Sequence, residues 1–371
     1  ASFFMGLPNI QMVSPTTFGL HMKGDNAEGW AYDDASGTGP FKFVEWQNGI
    51  RVVLDKFDDY WGGWDQPHIA RLVALVVGEP GTRRLLLENG DVDIVLKMED
   101  QIDDAKALAD HPDITIDTYP TLSITYVVLA NHRGPTANKL VRQAISYAFD
   151  YDAMIEIGFG GVGSQARGPL NSSIVYHDPD VFQYTRDLDK AKELLVEAGY
   201  PGGGFDLKFS HVGSSGVQGR TAEVLQASLA DVGINVIADG ITWPTLFAAF
   251  QDPDTAPDMF NLNNHSAWPD PDFTFSRFFT IASQGTGGFN GGYYTNAAMD
   301  ELMVQGRVET DPDARAAMYK EIQKVMVEEA AVIFNAEMEY MQGRQNYVKG
   351  VQYIPTFSRT LGYLNSIHID K

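Results

Sequence analysis

The feature that most constrains the fold is a pair of short alternating runs joined by Asn48-Gly49. Phe41 and Phe43 alternate with polar residues before this dipeptide, and Arg51–Leu54 forms a second β-rich run after it. Asn-Gly between two such runs is the strongest local signal for a β-hairpin, because both turn residues must adopt positive φ. The sequence therefore predicts an antiparallel hairpin here, and nothing in this stretch is a catalytic group.

Strands and helices alternate after the hairpin. An apolar run at 70–77, a helical pattern at 80–89 and a further strand at 91–96 form one β-α-β unit, and residues 205–238 repeat this order. Such a rhythm is typical of α/β folds. Hydrophobic spacing predicts helices over 100–110, 139–150, 188–198, 220–232, 243–250, 296–310 and 311–330, and strands over 114–119, 123–131, 259–262, 331–335 and 362–369.

Length and composition are those of a globular protein with room for two domains. The chain has 371 residues and a mass of 40.9 kDa, with 44% hydrophobic residues and a mean hydropathy of -0.19. No apolar run approaches the roughly 20 residues that a transmembrane helix needs. The absence of cysteine excludes disulfides and thiolate zinc sites.

The charge balance is strongly acidic. The 27 basic and 49 acidic residues give a formal net charge of -22 at pH 7. Because such a surface repels phosphate backbones, we expect no nucleic-acid partner. We interpret the charge as a solubilising surface, with adaptation to a saline habitat as the alternative.

Several segments together resemble a known family. Residues 37–43, Gly-Thr-Gly-Pro-Phe-Lys-Phe, and residues 58–63, Asp-Asp-Tyr-Trp-Gly-Gly, are similar to the signature of the extracytoplasmic solute-binding proteins of family 5, which serve peptide, nickel and related ABC importers. Residues 139–150 match the family's Val-Arg-Gln-Ala helix nearly residue for residue, and residues 89–93 match its Gly-Glu-Val-Asp segment. The resemblance runs from about Ser14 to the C-terminus.

The resemblance implies a fold. The implied fold is the two-lobed α/β fold of periplasmic binding proteins, type II or cluster C, with mixed sheets and flanking helices. The first lobe would comprise residues 1–124 and 341–371, and the second residues 125–340, with the crossing near Leu122–Tyr126. Ala1–Met5 lack the basic and apolar regions of a signal peptide. We therefore expect a chain without the family's N-terminal third and with an incomplete first lobe; a genuinely shorter relative is the alternative.

The resemblance also implies a function. The chain would be the non-enzymatic substrate-binding component of an ABC importer, a monomer that needs no cofactor. It would enclose a peptide, an oligosaccharide or an opine-like solute between its lobes and deliver it to the transmembrane subunits of a permease. Its location would be the periplasm, or the cell exterior as a membrane-tethered lipoprotein.

Candidate ligand contacts come from loops that follow strands, because open α/β sheets bind ligands at the carboxyl ends of their strands. Residues 211–218 and residues 263–272 are two such predicted loops, rich in polar and aromatic side chains that suit solute recognition. We predict ligand contacts from Trp268, His265, Asn264, Asn263, His211, Ser214, Ser215, Arg220, Trp243, Tyr293 and Arg167. For Trp268, a place in the core of the lobe is the alternative.

One departure from the family bears on the ligand. In dipeptide and oligopeptide relatives, an aspartate just ahead of an Asp-Pro-Asp triplet pairs with the α-amino group of the peptide. Aligning that triplet on residues 270–272 places Ala267 where the aspartate should be. A buried ammonium group without a counter-charge is costly, so this departure favours neutral or opine-like ligands over peptides with a free N-terminus. Asp270 or Asp272 would either replace the missing aspartate or fix the turn beside Pro271.

Other chemistry has little support in the sequence. Neither Gly-x-Ser-x-Gly nor His-Glu-x-x-His occurs, and no histidines have metal-ligand spacing on one helix. Ligation of nickel or haem by a single histidine, with His211 and His265 as candidates, stays open. Residues 158–164 are glycine-rich but lack the context of a phosphate cradle, and we interpret Arg142 as a structural ion-pair residue. A small-solute hydrolase and a chaperone-like binder of extended chains are the rival functions.

Overall fold

The computed structural model describes residues 14–357 and 364–371. The chain divides into two compact units. Pro120–Tyr340 form one, and the described residues up to Tyr119, together with those from Met341 onward, form the other. Within the described residues, no helix is both long and apolar enough to cross a membrane. The start of the predicted last strand, at Gly362 and Tyr363, lies outside the described residues.

The predicted hairpin is confirmed. Phe41 pairs with Lys56 and Gln47 with Arg51 across two antiparallel strands, and Gly49 in the turn has a φ of 73°. A third strand pairs antiparallel with the second. The elements up to Tyr119 are α1 (Pro15–His21), α2 (Glu28–Asp33), β1 (Phe41–Gln47), β2 (Arg51–Lys56), β3 (Arg71–Leu75), α3 (Pro80–Glu88), β4 (Ile94–Leu96) and α4 (Ile102–Leu108).

The remaining elements belong mainly to the unit Pro120–Tyr340. They are β5 (Ile114–Leu129), α5 (Lys139–Ala148), β6 (Ser164–Gln165), α6 (Leu188–Glu197), β7 (Phe205–Val212), α7 (Gly216–Ala230), β8 (Ile234–Ile241), α8 (Trp243–Ala249), β9 (Met259–His265), α9 (Pro271–Phe278), α10 (Ala297–Val308), α11 (Pro312–Glu329) and β10 (Val332–Gln345). Strands β5 and β10 continue into the other unit, which ends with the short pair β11 (Val348–Lys349) and β12 (His368–Ile369).

The sheet of the unit Pro120–Tyr340 has the strand order β10-β5-β9-β7-β8. Strand β7 runs parallel to both β8 and β9, whereas β5 runs antiparallel to β9. Because β7, β8 and β9 point the same way, their carboxyl ends lie at one edge of the sheet. The antiparallel register pairs Ser123 of β5 with His265 of β9, so the early residues of β5 in this unit lie at the same edge.

Several predicted boundaries are wrong. The two strands predicted at 114–119 and 123–131 form the single strand β5, and the boundary between the two compact units falls within it. Strand β9 continues to His265 instead of ending at 262, so Asn263, Asn264 and His265 lie in a strand and not in a loop. Likewise His211 lies in β7. Pairing with β5 explains the longer β9, because ladder hydrogen bonds outweigh the weak strand preference of asparagine.

Local capping explains where the helices at this edge begin. Helix α7 starts at Gly216, earlier than the predicted residue 220, because the Ser215 hydroxyl accepts a hydrogen bond from the backbone N–H of Gln218. Helix α9 was not predicted from spacing. It begins at Pro271, after Asp270 accepts a hydrogen bond from the N–H of Asp272.

The interpretation of Arg142 as a structural residue is confirmed. Its side chain is only 4% exposed and lies in helix α5. The guanidinium donates to the carbonyl oxygens of Thr136 and Ala137 at 3.0 Å and to that of Glu329, the last residue of α11, at 2.9 and 3.1 Å. Burial lowers the pKa of this guanidinium. Arg142 therefore joins the segment before α5 to the C-terminal end of α11 by hydrogen bonds from a buried guanidinium.

A buried ion pair fixes the start of α9. Arg315 of α11 donates two hydrogen bonds of 3.0 Å to the two carboxylate oxygens of Asp270, which is 7% exposed. The guanidinium also donates to the carbonyl of Gly306 and lies over the ring of Tyr319. Burial raises the pKa of Tyr319 to about 12. The pair thus ties the loop between β9 and α9 to the two helices α10 and α11.

We predict that Arg142→Met lowers the free energy of unfolding by about 3 kcal/mol, because it removes a buried charged donor that bonds the carbonyl groups of Thr136, Ala137 and Glu329. Urea-induced unfolding followed by circular dichroism measures the change. Lys139→Met is the matched control. Lys139 pairs with the carboxylate of Glu329 at 3.1 Å, as Arg142 does at 3.5 Å, but its side chain is 42% exposed, so its loss should cost less than about 1 kcal/mol. Equal losses for the two variants would contradict the structural role of Arg142.

We predict that Asp270→Asn also destabilises the chain by about 3 kcal/mol, because it leaves the guanidinium of Arg315 buried without its counter-charge. The neighbouring Asp272 pairs with Arg307, whose side chain is 52% exposed. Asp272→Asn should therefore cost less than about 1 kcal/mol in the same unfolding assay. A loss for Asp270→Asn as small as that for Asp272→Asn would show that the buried pair does not fix the loop.

Candidate ligand-binding edge

The carboxyl ends of β7, β8 and β9 form the candidate site. These strands end at Val212, Ile241 and His265, and a helix starts within six residues of each end. Open α/β sheets bind ligands beyond the carboxyl ends of their strands, because loops there project functional groups from a rigid base. We call this part of the unit Pro120–Tyr340 the carboxyl edge.

The structure brings most of the predicted residues to the carboxyl edge. His211 lies one residue before the end of β7, and Ser214 and Ser215 form the connection to α7. Trp243 is the first residue of α8, His265 is the last of β9, and Trp268 lies in the loop that leads to α9. Asn263 lies two residues before the end of β9.

Three predicted residues lie elsewhere or are otherwise engaged. Tyr293 follows Gly292, and the carbonyl of Gly292 accepts a hydrogen bond from the N–H of Asn131, just beyond the end of β5. The hydroxyl of Tyr293 donates to the carbonyl of Phe250, just after α8. It therefore lies toward the opposite edge of the sheet. Arg167 donates to the carbonyl of Val181 and to the side chain of Gln183. Arg220 lies inside α7 and donates to the carbonyl of Gly158.

Neighbouring residues of β9 point to opposite faces of the sheet. Asn264 is fully buried and donates to the hydroxyl of Thr274 at 2.8 Å, on the face that also holds Tyr126. Asn263 and His265 lie on the other face and are partly exposed. Strand alternation thus separates two groups of residues that the sequence places side by side.

The sequence prediction missed three members of this second face. Ser123 is hydrogen-bonded to the imidazole Nδ1 of His265 at 2.7 Å, and Asn261 donates to Thr125 and to Asn263, both at 3.1 Å. Ser123, Thr125 and Asn261 are each 2% exposed. We call Ser123, Thr125, Asn261, Asn263 and His265 the polar row. Its detectable signal is the period-two spacing of Thr121, Ser123 and Thr125 in an otherwise apolar strand.

The row therefore reaches solvent only at Asn263 and His265. Its buried members hold these two side chains in place through hydrogen bonds, as a rigid supporting layer. The side-chain oxygen of Asn261 and the Nδ1 atom of His211 are buried and have no hydrogen-bond partner in the described part of the chain. At one end of the row, Asn263 and His265 can orient polar groups of a ligand. At the other end, the side-chain oxygen of Asn261 remains an unused hydrogen-bond acceptor.

The two tryptophans at the carboxyl edge have aromatic neighbours. Trp243 is 39% exposed, and its ring lies 5.6 Å from that of Phe247. Trp268 is partly buried and meets Phe273 edge-on at 4.9 Å. Each indole therefore has one side supported by packing and retains some surface exposed to solvent.

Two other kinds of site find little support. A cavity of about 10 Å³ lies among Tyr126, Leu262, Phe279 and Asn131. It has room for about one water and is too small for a peptide or a sugar. Among the described residues, no group of three or more histidine, aspartate or glutamate side chains could hold a metal ion.

Comparisons with known proteins identify the family of this chain. The family model described as bacterial extracellular solute-binding proteins, family 5, middle, matches residues 1–286. A probable D,D-dipeptide-binding periplasmic protein of Escherichia coli K12 is 28% identical over 358 residues, which cover 96% of this chain and 67% of that protein. The glutathione-binding protein of Pectobacterium atrosepticum is also 28% identical, over 86% of this chain and 62% of its own length.

A solved structure shows the fold. The DppA periplasmic binding protein of Helicobacter pylori, in complex with the peptide STSA, matches with a TM-score of 0.86 and 24% identity. The match covers 100% of this chain and 70% of that one. The expected two-lobed α/β binding-protein fold is therefore confirmed. The family match confirms the expectation of a solute-binding protein that is not an enzyme. The chain belongs to the bacterial extracellular solute-binding proteins of family 5.

Proposed function

We propose that the chain is the substrate-binding component of an ABC importer. The observation that carries the proposal is the convergence of three parallel strand ends with aromatic and polar side chains at the carboxyl edge. Its location would be the periplasm, or the cell exterior as a tethered lipoprotein. Its partner would be the transmembrane subunits of a permease, which accept the solute from the ligand-bound form.

The ligand is a small solute that does not depend on a free α-ammonium group. Ala267 lies between β9 and α9, at the position that the family's peptide binders fill with aspartate. The carboxylates of Asp270 and Asp272 do not replace the missing aspartate, because Asp270 forms an ion pair with Arg315 and Asp272 forms one with Arg307. An ammonium group held at this position would find no free counter-charge in the loop, which becomes costly once bound ligand excludes water. The alternative that these aspartates fix the start of the helix agrees better with their contacts.

We propose roles for the residues at the carboxyl edge. Trp243 and Trp268 supply flat apolar surface, while Asn263 and His265 orient polar groups of the solute. His211, Ser214 and Ser215 lie at the end of the neighbouring strand and complete the polar side. Asn264 is buried on the face that carries α8 and α9, and it supports the edge there through its hydrogen bond to Thr274. Arg220, Tyr293 and Arg167 remain predictions with weaker support, because their described contacts are with backbone or side chains away from the edge.

We predict that a thermal-shift screen of the 371-residue chain detects one solute class among oligopeptides, opines, oligosaccharides and nickel salts. A ligand that binds the native state raises the melting temperature by mass action. Trp268→Ala and Trp243→Ala should each weaken binding about tenfold, because each removes a large contact surface.

Phe182→Ala is the control for that screen. Phe182 is a 53% exposed aromatic residue whose ring contacts are with Tyr147 and Tyr184, away from the carboxyl edge. Its loss should leave binding unchanged. A folded chain that responds to none of the solute classes would overturn the proposed function. Binding of unfolded polypeptide without sequence preference would instead favour the chaperone-like function.

A further inference from the structure

Six side chains form a continuous line of ring contacts in the unit Pro120–Tyr340. We call them the aromatic row, and in order they are Trp243, Phe247, Phe289, Arg277, Phe273 and Trp268. The ring centroids of Trp243 and Phe247 are 5.6 Å apart, those of Phe247 and Phe289 5.4 Å, and those of Phe273 and Trp268 4.9 Å. The guanidinium carbon of Arg277 lies 4.2 Å from the ring centroid of Phe289 and 5.5 Å from that of Phe273. The row therefore links the two tryptophans of the carboxyl edge through a single guanidinium group.

The helices that supply the row lie over the same face of the sheet. Phe250, just after α8, stacks on Phe260 at 4.9 Å, and Phe278 of α9 contacts Tyr126 at 6.4 Å. Tyr126 and Phe260 are on one face, because the register pairs residue 126 with 262 and residue 128 with 260. Both helices begin at the carboxyl edge. The row thus runs over the face of the sheet opposite the polar row, and its two ends, Trp243 and Trp268, lie at the carboxyl edge.

The row is accessible along its length. Trp243 and Arg277 are exposed, and Phe247, Phe289, Phe273 and Trp268 are partly exposed. Aromatic side chains that serve only the core are normally buried, as Phe250, Phe260 and Phe275 are here. A run of half-exposed rings whose two ends lie at the carboxyl edge is therefore a surface suited to binding.

Arg277 differs from the arginines next to it. Arg315 pairs with Asp270, and Arg307 pairs with Asp272. In the described part of the chain, the contacts of Arg277 are with the rings of Phe289 and Phe273, and no carboxylate pairs with it. In a chain with a net charge of -22, an arginine without a carboxylate partner marks a place where a negative group is attracted.

The chemistry of this arrangement selects the ligand. A guanidinium that lies over a ring keeps its N–H donors in its own plane, where they can bind both oxygens of a carboxylate. The rings on either side suit an apolar or aromatic body attached to that carboxylate. Neutral sugars would leave this donor set without a charged partner.

We propose that the solute carries a carboxylate on an apolar or aromatic body, and that Arg277 binds that carboxylate within the aromatic row. The inference rests on the proposed function and narrows its ligand class. Together with Ala267 in the place of an aspartate, it favours compounds whose nitrogen is not a free ammonium group. N-acylated amino acids and opine-like acids have this combination of groups.

The test compares an acid with its amide. N-acetyl-L-phenylalanine and N-acetyl-L-phenylalaninamide differ only in the carboxylate, and isothermal titration of the 371-residue chain measures both dissociation constants. The wild-type chain should bind the acid at least tenfold more tightly, as expected for hydrogen bonds to a charged group. Arg277→Gln should abolish this preference, and Arg277→Lys should keep part of it.

Arg307→Gln is the matched control, because Arg307 is an exposed arginine on a neighbouring helix that pairs with Asp272. It should keep the preference for the acid. Equal binding of acid and amide by the wild type, or an unchanged preference in Arg277→Gln, would overturn the inference. Failure of both compounds to bind, while another solute raises the melting temperature, would overturn the inference and leave the proposed function standing. Failure of every solute class would overturn the proposed function itself.

Discussion

The register between β5 and β9 is the constraint on which the rest of the candidate site depends. It pairs Ser123 with His265 and so decides which side chains share a face. A shift of one residue would exchange the polar row with the face that holds Tyr126 and Asn264. The buried hydrogen bonds of Ser123, Thr125 and Asn261 oppose such a shift, because each would lose its partner. Polar residues in the middle of the sheet thus give it a unique alignment.

Local sequence signals predicted much of the fold. The Asn-Gly hairpin and the helices near 139–150, 188–198 and 311–330 appear where spacing and stop signals place them. These elements carry their information within one segment. The end of β9 and the continuity of β5 depend on pairing between strands far apart in the chain, which no local pattern reports. Helix α9 was missed because Asp-Pro-Asp suits both a turn and a capped helix start.

The candidate site could be predicted only in part. Strand ends are visible in sequence, so His211, Trp243 and Trp268 were found from position and residue type. Asn264 was grouped with Asn263 because sequence proximity does not show which face a strand residue occupies until the register is known. Sequence alone cannot single out Arg277, because its distinction is that no carboxylate among the described residues pairs with it. Only the positions of Asp270 and Asp272 reveal how the neighbouring arginines are neutralised.

The aromatic row has a consequence for spectroscopy. Two of the six tryptophans of the chain are its end members. Indole emission responds to the polarity of its surroundings. Displacement of water from Trp243 or Trp268 would therefore shift the emission maximum of the intrinsic fluorescence. The chain therefore contains an optical reporter at the place where occupancy matters, and it needs no attached dye.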